Sequence, residues 1–153
     1  MPISIASILT PDCTKSLVEC TSKKRALEQV AHIVAENHPQ LDEDNLFKAL
    51  ISREKLGSTG LGKRIAIPHC RIEEATETIG VLITLSSPID FESIDGDPVD
   101  VIFALVVPHE AHEEHLNTLA ALAERFSNTA FTDALRDAKD AQSLYTAATT
   151  EDL

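Results

Sequence analysis

Thr78-Ile79-Gly80-Val81-Leu82-Ile83-Thr84-Leu85 and Val99-Asp100-Val101-Ile102-Phe103-Ala104-Leu105-Val106-Val107 are the two runs on which the fold turns. Both are short, β-branched and almost continuously apolar, the pattern of strands covered on both faces rather than on one. The segment between them, Pro88 to Pro98, is rich in Asp and Ser and contains Asp95-Gly96, so it reads as a connection.

Helical patterns surround these strands. Ser22 is a suitable N-cap for a helix over 23–37, where Leu27, Val30, Ala31 and Val34 repeat on one face and His38-Pro39 ends the run. Asp42 or Asp44 caps a second helix to about Lys55, with Leu46, Phe47, Leu50 and Ile51 inward and Gly57 as terminator. A third is expected from about Ala111 to Phe126 with Leu116, Leu119, Ala120 and Ala123 on its core face, and a weaker region, in two pieces, follows Asn128 to about Ala148. Upstream, the apolar start at residues 3–9 is broken by Pro11, and Thr14 to Cys20 alternates as a strand does. Interleaved helices and strands predict an α/β class, one domain over 1–153, with a mixed sheet flanked by helices on both faces.

Composition narrows the function. The 153 residues carry a net charge of −12, and twelve Asp and Glu with no Lys or Arg lie between Ile72 and Glu124, a surface that repels phosphate backbones and argues against nucleic acid. Three cysteines, Cys13, Cys20 and Cys70, lack C-x-x-C spacing and suit reduced thiols. The N-terminus lacks the features of a signal peptide and no segment is long enough to span a bilayer, so a cytoplasmic protein without membrane insertion is expected.

Against this acidic background stands Gly57-Ser58-Thr59-Gly60-Leu61-Gly62-Lys63-Arg64-Ile65-Ala66-Ile67-Pro68-His69-Cys70-Arg71. It holds three of the five glycines, and from Arg53 to Arg71 five cations face one acid, Glu54, a local charge of +4. Such an island attracts an anion or an acidic face, and a presented imidazole makes phosphate the first anion to test. Arg53, in the last turn of the second helix, is placed to reach over the glycine loop. The stretch nearly spells a P-loop, but Arg64 stands where Ser or Thr must hold Mg²⁺, and the chain leaves a helix to enter a strand, the reverse of a P-loop's order.

The second dense segment is Pro108-His109-Glu110-Ala111-His112-Glu113-Glu114-His115. Its spacing fails both H-E-x-x-H and its inverted form, so no metal site is expected. His112, His115, Leu119, Leu122 and Phe126 follow one stripe, which puts His115 at the edge of the buried face; anion contact and simple packing are equally good readings of it. His32 and His38 read as structural. No nucleophile elbow or catalytic triad is present.

Ser52-Arg53-Glu54-Lys55-Leu56-Gly57-Ser58-Thr59-Gly60, with Gly62 and Ala66-Ile67-Pro68-His69, closely resembles the active-site signature of the IIA proteins of the bacterial phosphotransferase system, in the fructose and mannitol class. Ile8-Leu9-Thr10-Pro11 and Ser22-Lys23-Lys24-Arg25-Ala26-Leu27-Glu28 look most like its nitrogen-regulatory branch. The resemblance implies a mixed sheet of about five strands between helices. It also implies a phosphorelay: His69 accepts a phosphoryl group from a small histidine phosphocarrier, His115 steadies it, and Arg53 contacts it. Gly57, Ser58, Thr59, Gly60 and Gly62 are candidates for a phosphate loop whose N–H groups add donors. No cofactor or metal is required, and stand-alone turnover is not expected of a carrier that its partners charge and discharge. Family targets include potassium transporters and sensor kinases.

Lys63-Arg64 and Cys70 depart from the family pattern, where small or uncharged residues and a glycine are common; altered partner choice or redox sensitivity are the effects to look for. Two alternatives accompany the regulatory reading. One is a sugar-specific IIA subunit passing phosphate to a IIB permease domain, although no fused IIB, IIC or phosphocarrier segment is seen in this chain. The other is an interaction module that is never phosphorylated.

Overall fold

The computed structural model describes residues 5–109 and 112–150, with the backbone alone for 112–115. After a 3₁₀ turn at Ile5–Ser7 the chain runs β1 (Leu9–Val18), α1 (Lys23–Asn37), α2 (Glu43–Lys55), β2 (Gly60–Gly62), β3 (Ile65–Ala66), β4 (His69–Ile72), β5 (Ile79–Ile89), β6 (Val99–Pro108), α3 (His112–Phe126), α4 (Thr129–Asp137) and α5 (Ala141–Thr149). The expected class is the one found, a mixed sheet with helices on both faces, with six strands in place of about five.

β6 is the spine. One edge pairs antiparallel with β5, which in turn pairs parallel with β1; the other edge carries β3 and then β4, both parallel to it, with β2 outside β3. Residues 101–107 of β6 are fully covered, as their unbroken apolar run requires. β3 and β4 lie end to end on one edge because Ile67-Pro68 interrupts them: Pro68 has no N–H to give the ladder, yet its carbonyl accepts Leu105 N–H at 2.9 Å and keeps the register. That register sets His69 opposite Leu105. Residues two apart on β6 share a face, so His69 lies on the face from which Phe103 meets Phe126 of α3, ring centroids 5.7 Å apart.

The helices form two groups. α1 and α2 pack on each other and on β1, β4 and β5, whereas α5 packs on β1 and reaches α3 through α4. Ser22, Asp42, Asn128 and Asp140 cap α1, α2, α4 and α5 by accepting an N–H three residues on.

Three expectations need correction. The strand expected over 14–20 starts at Leu9 and runs through Pro11, which is tolerated because β1 is an edge strand whose pairing is irregular between Leu9 and Thr14. β5 likewise continues through Pro88, beyond a register shift between Thr84 and Ile89. On α3, Leu116 and Ala120 are exposed, and the buried residues among those described are Thr118, Leu122 and Phe126; the last two fall on the stripe read through His115, and Thr118 is a polar residue that an apolar periodicity passes over.

Candidate functional site

Arg53 and His69 are brought together by two local devices. α2 ends at Lys55, where Leu56 N–H bonds to Arg53 C=O and Gly57 N–H to Glu54 C=O, each at 3.1 Å, and the positive φ of Gly57 takes the chain off the helix. Arg53 folds back over that turn. Its Nη1 donates to Gly57 C=O at 3.0 Å and its Nε donates to His69 Nε2 at 3.1 Å. The second device is the interrupted β3–β4 edge, which delivers His69 as the first residue of β4.

The partners fix the tautomer. A carbonyl only accepts, so the 2.8 Å bond between His69 Nδ1 and Ile67 C=O puts the proton on Nδ1. Guanidinium only donates, so Nε2 presents its lone pair to Arg53. Burial lowers the His69 pKa from its ordinary value, and the charges of Arg53 and Arg71 push the same way, against the Ile67 carbonyl and Glu54, which raise it. Half-buried and neutral, the imidazole presents its Nε2 lone pair to a cation, the Arg53 guanidinium.

The N–H groups of the glycine loop are in part engaged by the protein itself. Gly57 N–H donates to Glu54 C=O, Thr59 N–H to Glu54 Oε1 at 3.2 Å and Gly60 N–H to Ser58 Oγ at 3.1 Å, so three of the proposed donors are taken by the protein itself. Ser58 Oγ donates to Phe91 C=O at 3.0 Å, which lays the loop along residues 91–95. Gly60 is required there, since a Cβ would overlap Ser93 Oγ and stand 2.9 Å from Ser93 Cβ. Gly62, at φ 88°, opens a two-residue turn into β3.

That turn divides the basic island. Lys63 and Arg64 both have positive φ, and their neighbour Ile65 pairs with Val101, four residues along β6 from the partner of His69, about 13 Å away at strand rise. Lys63 Nζ donates to Ser127 C=O at 3.3 Å, and Arg64 lies 3.5 Å from Asp100, which also accepts from Arg136 at 3.0 Å. The pair therefore faces α4 and the end of α3. Of the five cations, Arg53 bonds to the imidazole and Arg71 acts on it through its charge.

His115 lies in the first turn of α3, with its side chain outside the described residues. Cys70, which follows His69, is buried with its thiol pushed up to about 12, an environment that suppresses thiolate and so opposes redox sensitivity. Sequence reasoning missed Glu54 and Lys23, and named Thr59 only as a phosphate-loop candidate, whereas its N–H and hydroxyl are held by Glu54. Lys23, in the first turn of α1 where the helix dipole does not favour cations, is largely buried and pairs with Glu54 at 2.9 Å. The mismatch of Lys23 with the helix dipole was the signal that a buried acid waited nearby.

Comparisons with known proteins give the family of the chain. A family profile described as "Phosphoenolpyruvate-dependent sugar phosphotransferase system, EIIA 2" matches residues 7–149. A nitrogen regulatory protein of Pseudomonas aeruginosa is 45% identical over 143 residues, covering 94% of this chain and 93% of that one. Its counterpart from Escherichia coli is 42% identical over 144 residues, covering 94% and 88%. The crystal structure of nitrogen regulatory protein IIA-Ntr from Neisseria meningitidis superposes with a TM-score of 0.86 at 37% identity, covering 95% of this chain and 99% of that one. The fold, the matched profile and these relatives together place the chain in the EIIA 2 family of the phosphoenolpyruvate-dependent sugar phosphotransferase system.

Proposed function

We propose that the protein is a phosphohistidine carrier of the nitrogen-branch phosphotransferase system, charged on His69 Nε2 by a histidine phosphocarrier in the cytoplasm and read by target proteins through its charge state. The observation that carries this reading is the pair of bonds on the His69 ring, Nδ1–H to Ile67 C=O and Arg53 Nε–H to Nε2. The nitrogen-regulatory names of relatives at 45% and 42% identity support the branch.

In the transfer, the Nε2 lone pair forms a new N–P bond as the donor's N–P bond breaks, and that electron pair returns to the donor's imidazole. The Nδ1 proton stays where it is. Ile67 C=O accepts from it throughout and stabilises the positive charge that the ring gains. Charge spreads over the three equatorial oxygens in a loose transition state, so positioning and positive potential do most of the work. Arg53 is suited to both: Nη1 is anchored on Gly57 C=O, and as the Nε2 lone pair turns from Arg53 Nε–H to phosphorus that N–H is released, so that Nε and Nη2, on one edge, meet two phosphoryl oxygens. His115, in the first turn of α3, is the proposed second contact.

Intact mass after incubation with phosphoenolpyruvate, the first enzyme and the phosphocarrier tests the reading. Wild type gains one acid-labile phosphoryl group and His69→Ala gains none. Labelling of the variant, or none of wild type, refutes the assignment.

A further inference from the structure

Phosphoryl acceptance by His69 does not by itself explain why an ion pair is buried behind the glycine loop. The side chain of Glu54 is 4% exposed, and its carboxylate accepts from Lys23 Nζ at 2.9 Å, from Thr59 N–H at 3.2 Å and from the Thr59 hydroxyl. Lys23 Nζ also stands 3.6 Å from Glu92 and 4.8 Å above the Phe91 ring. A cation in the first turn of a helix opposes the dipole, and a buried ion pair pays a desolvation penalty that apolar side chains avoid. Stability alone is a poor reason to keep it.

The hydrogen bonds lead from this pair to the imidazole. Thr59, held at both its N–H and its hydroxyl, accepts Ile67 N–H on its carbonyl at 3.0 Å, and Ile67 C=O accepts His69 Nδ1–H at 2.8 Å. Arg53, the neighbour of Glu54 on α2, reaches the other ring nitrogen directly. Two adjacent residues of one helix turn therefore reach the two nitrogens of one ring, Arg53 by contact and Glu54 through two intervening residues, Thr59 and Ile67.

We propose that Glu54 is a positioning residue for phosphoryl transfer: through Thr59 and Ile67 it holds His69 in the Nδ1–H tautomer with Nε2 presented, and Lys23 keeps its carboxylate aimed. The phosphoryl-transfer part of this rests on His69 being the acceptor; the tautomer part does not. A simple pin for the loop would lower stability when broken and leave the ring's tautomer alone. A positioning residue changes the ring.

The test combines ¹⁵N NMR of the His69 ring with the rate of phosphoryl uptake from the phosphocarrier, in wild type, Glu54→Gln, Thr59→Val and Thr59→Ser. Thr59→Val exchanges a hydroxyl for a methyl of similar size and serves if Glu54→Gln does not fold. Both are expected to shift the ring from one tautomer to a mixture and to slow uptake about ten- to a hundredfold, the scale of a small misplacement of a reacting group. Thr59→Ser restores both readouts. Glu54→Gln also lowers the His69 titration midpoint, because the Glu54 charge raises it. A folded Glu54→Gln or Thr59→Val protein with the wild-type tautomer and wild-type uptake overturns the proposal and leaves the acceptor role intact. If wild type takes no phosphoryl group on His69, the carrier reading fails, and the tautomer measurement, which needs no donor, still decides whether Glu54 sets the ring.

Discussion

Arg53 Nε donates to His69 Nε2 at 3.1 Å while Nη1 of the same guanidinium is tied to Gly57 C=O at 3.0 Å. One planar group thus joins the helix end, the glycine loop and the imidazole, and a lysine cannot reproduce that fork. Arg53→Lys is expected to lower phosphoryl uptake about 10²-fold, the usual effect of removing one preorganised donor from a transition state that gathers negative charge. Arg53→Ala should in addition raise the His69 titration midpoint, since the Arg53 charge lowers it. Quench-flow uptake and an NMR titration check the two effects separately.

The lowered pKa of His69 sets a pH dependence with a definite sign. The unfolded group has the ordinary value of 6.5 and the folded one lies below it, so between the two the unfolded chain binds more protons. The stability contributed by His69 is therefore complete above 6.5 and is lost as the pH falls through 6.5 toward the folded value. Phosphoryl uptake is expected to hold its plateau below the midpoint of a free imidazole and to decline only at the lower folded midpoint. Denaturation of wild type and His69→Gln across pH 5 to 8, a range of about three units around that midpoint, isolates the stability part. A plateau that ends above pH 6.5 would sink this prediction.

Thiol chemistry separates the three cysteines. Cys70 is buried with its pKa pushed up to about 12, Cys13 is buried and also raised by burial, and Cys20, though raised by burial as well, is only half-buried and lines an open groove of about 440 Å³ beside α1. Reactivity follows the accessible thiolate. Brief alkylation of the native protein at mildly alkaline pH should modify Cys20 first and leave Cys70 and Cys13 untouched until denaturant is added, as peptide mass spectrometry will show. Modification of native Cys70 ahead of Cys20 would restore the redox reading.

How legible these features were depends on the length of the signal. β5 and β6 announced themselves because residues 79–85 and 101–107 are nearly continuous apolar runs, and α1 and α2 because their caps and faces repeat. β2, β3 and β4 have two to four residues, too few for any period, and only the register with β6 defines them. Arg53 and His69 were legible through a motif. Glu54 and Lys23 were not, because charges on different helices look solvated until folding buries them together. The basic island was a fact of sequence distance that the β2–β3 turn cut in two.

That turn offers a last and independent check. Lys63 and Arg64 sit at φ 57° and 68°, the left-handed region on both central positions of a two-residue hairpin, where Asn-Gly is preferred. Left-handed backbone costs a non-glycine residue roughly 1–2 kcal/mol, while the exposed Arg64–Asp100 contact at 3.5 Å returns at most about 1 kcal/mol. The double substitution Lys63→Asn, Arg64→Gly should therefore stabilise the protein by about 1 kcal/mol, a rise in Tm of roughly 2–4 °C for a chain of this size. Because the pair lies about 13 Å along β6 from His69, phosphoryl uptake from a saturating phosphocarrier should be unchanged. Calorimetry and the uptake assay on one protein sample check both halves. A large loss of uptake with the Tm raised would mean that Lys63 and Arg64 belong to the face that the phosphocarrier grips, and that the +4 segment acts as one surface after all.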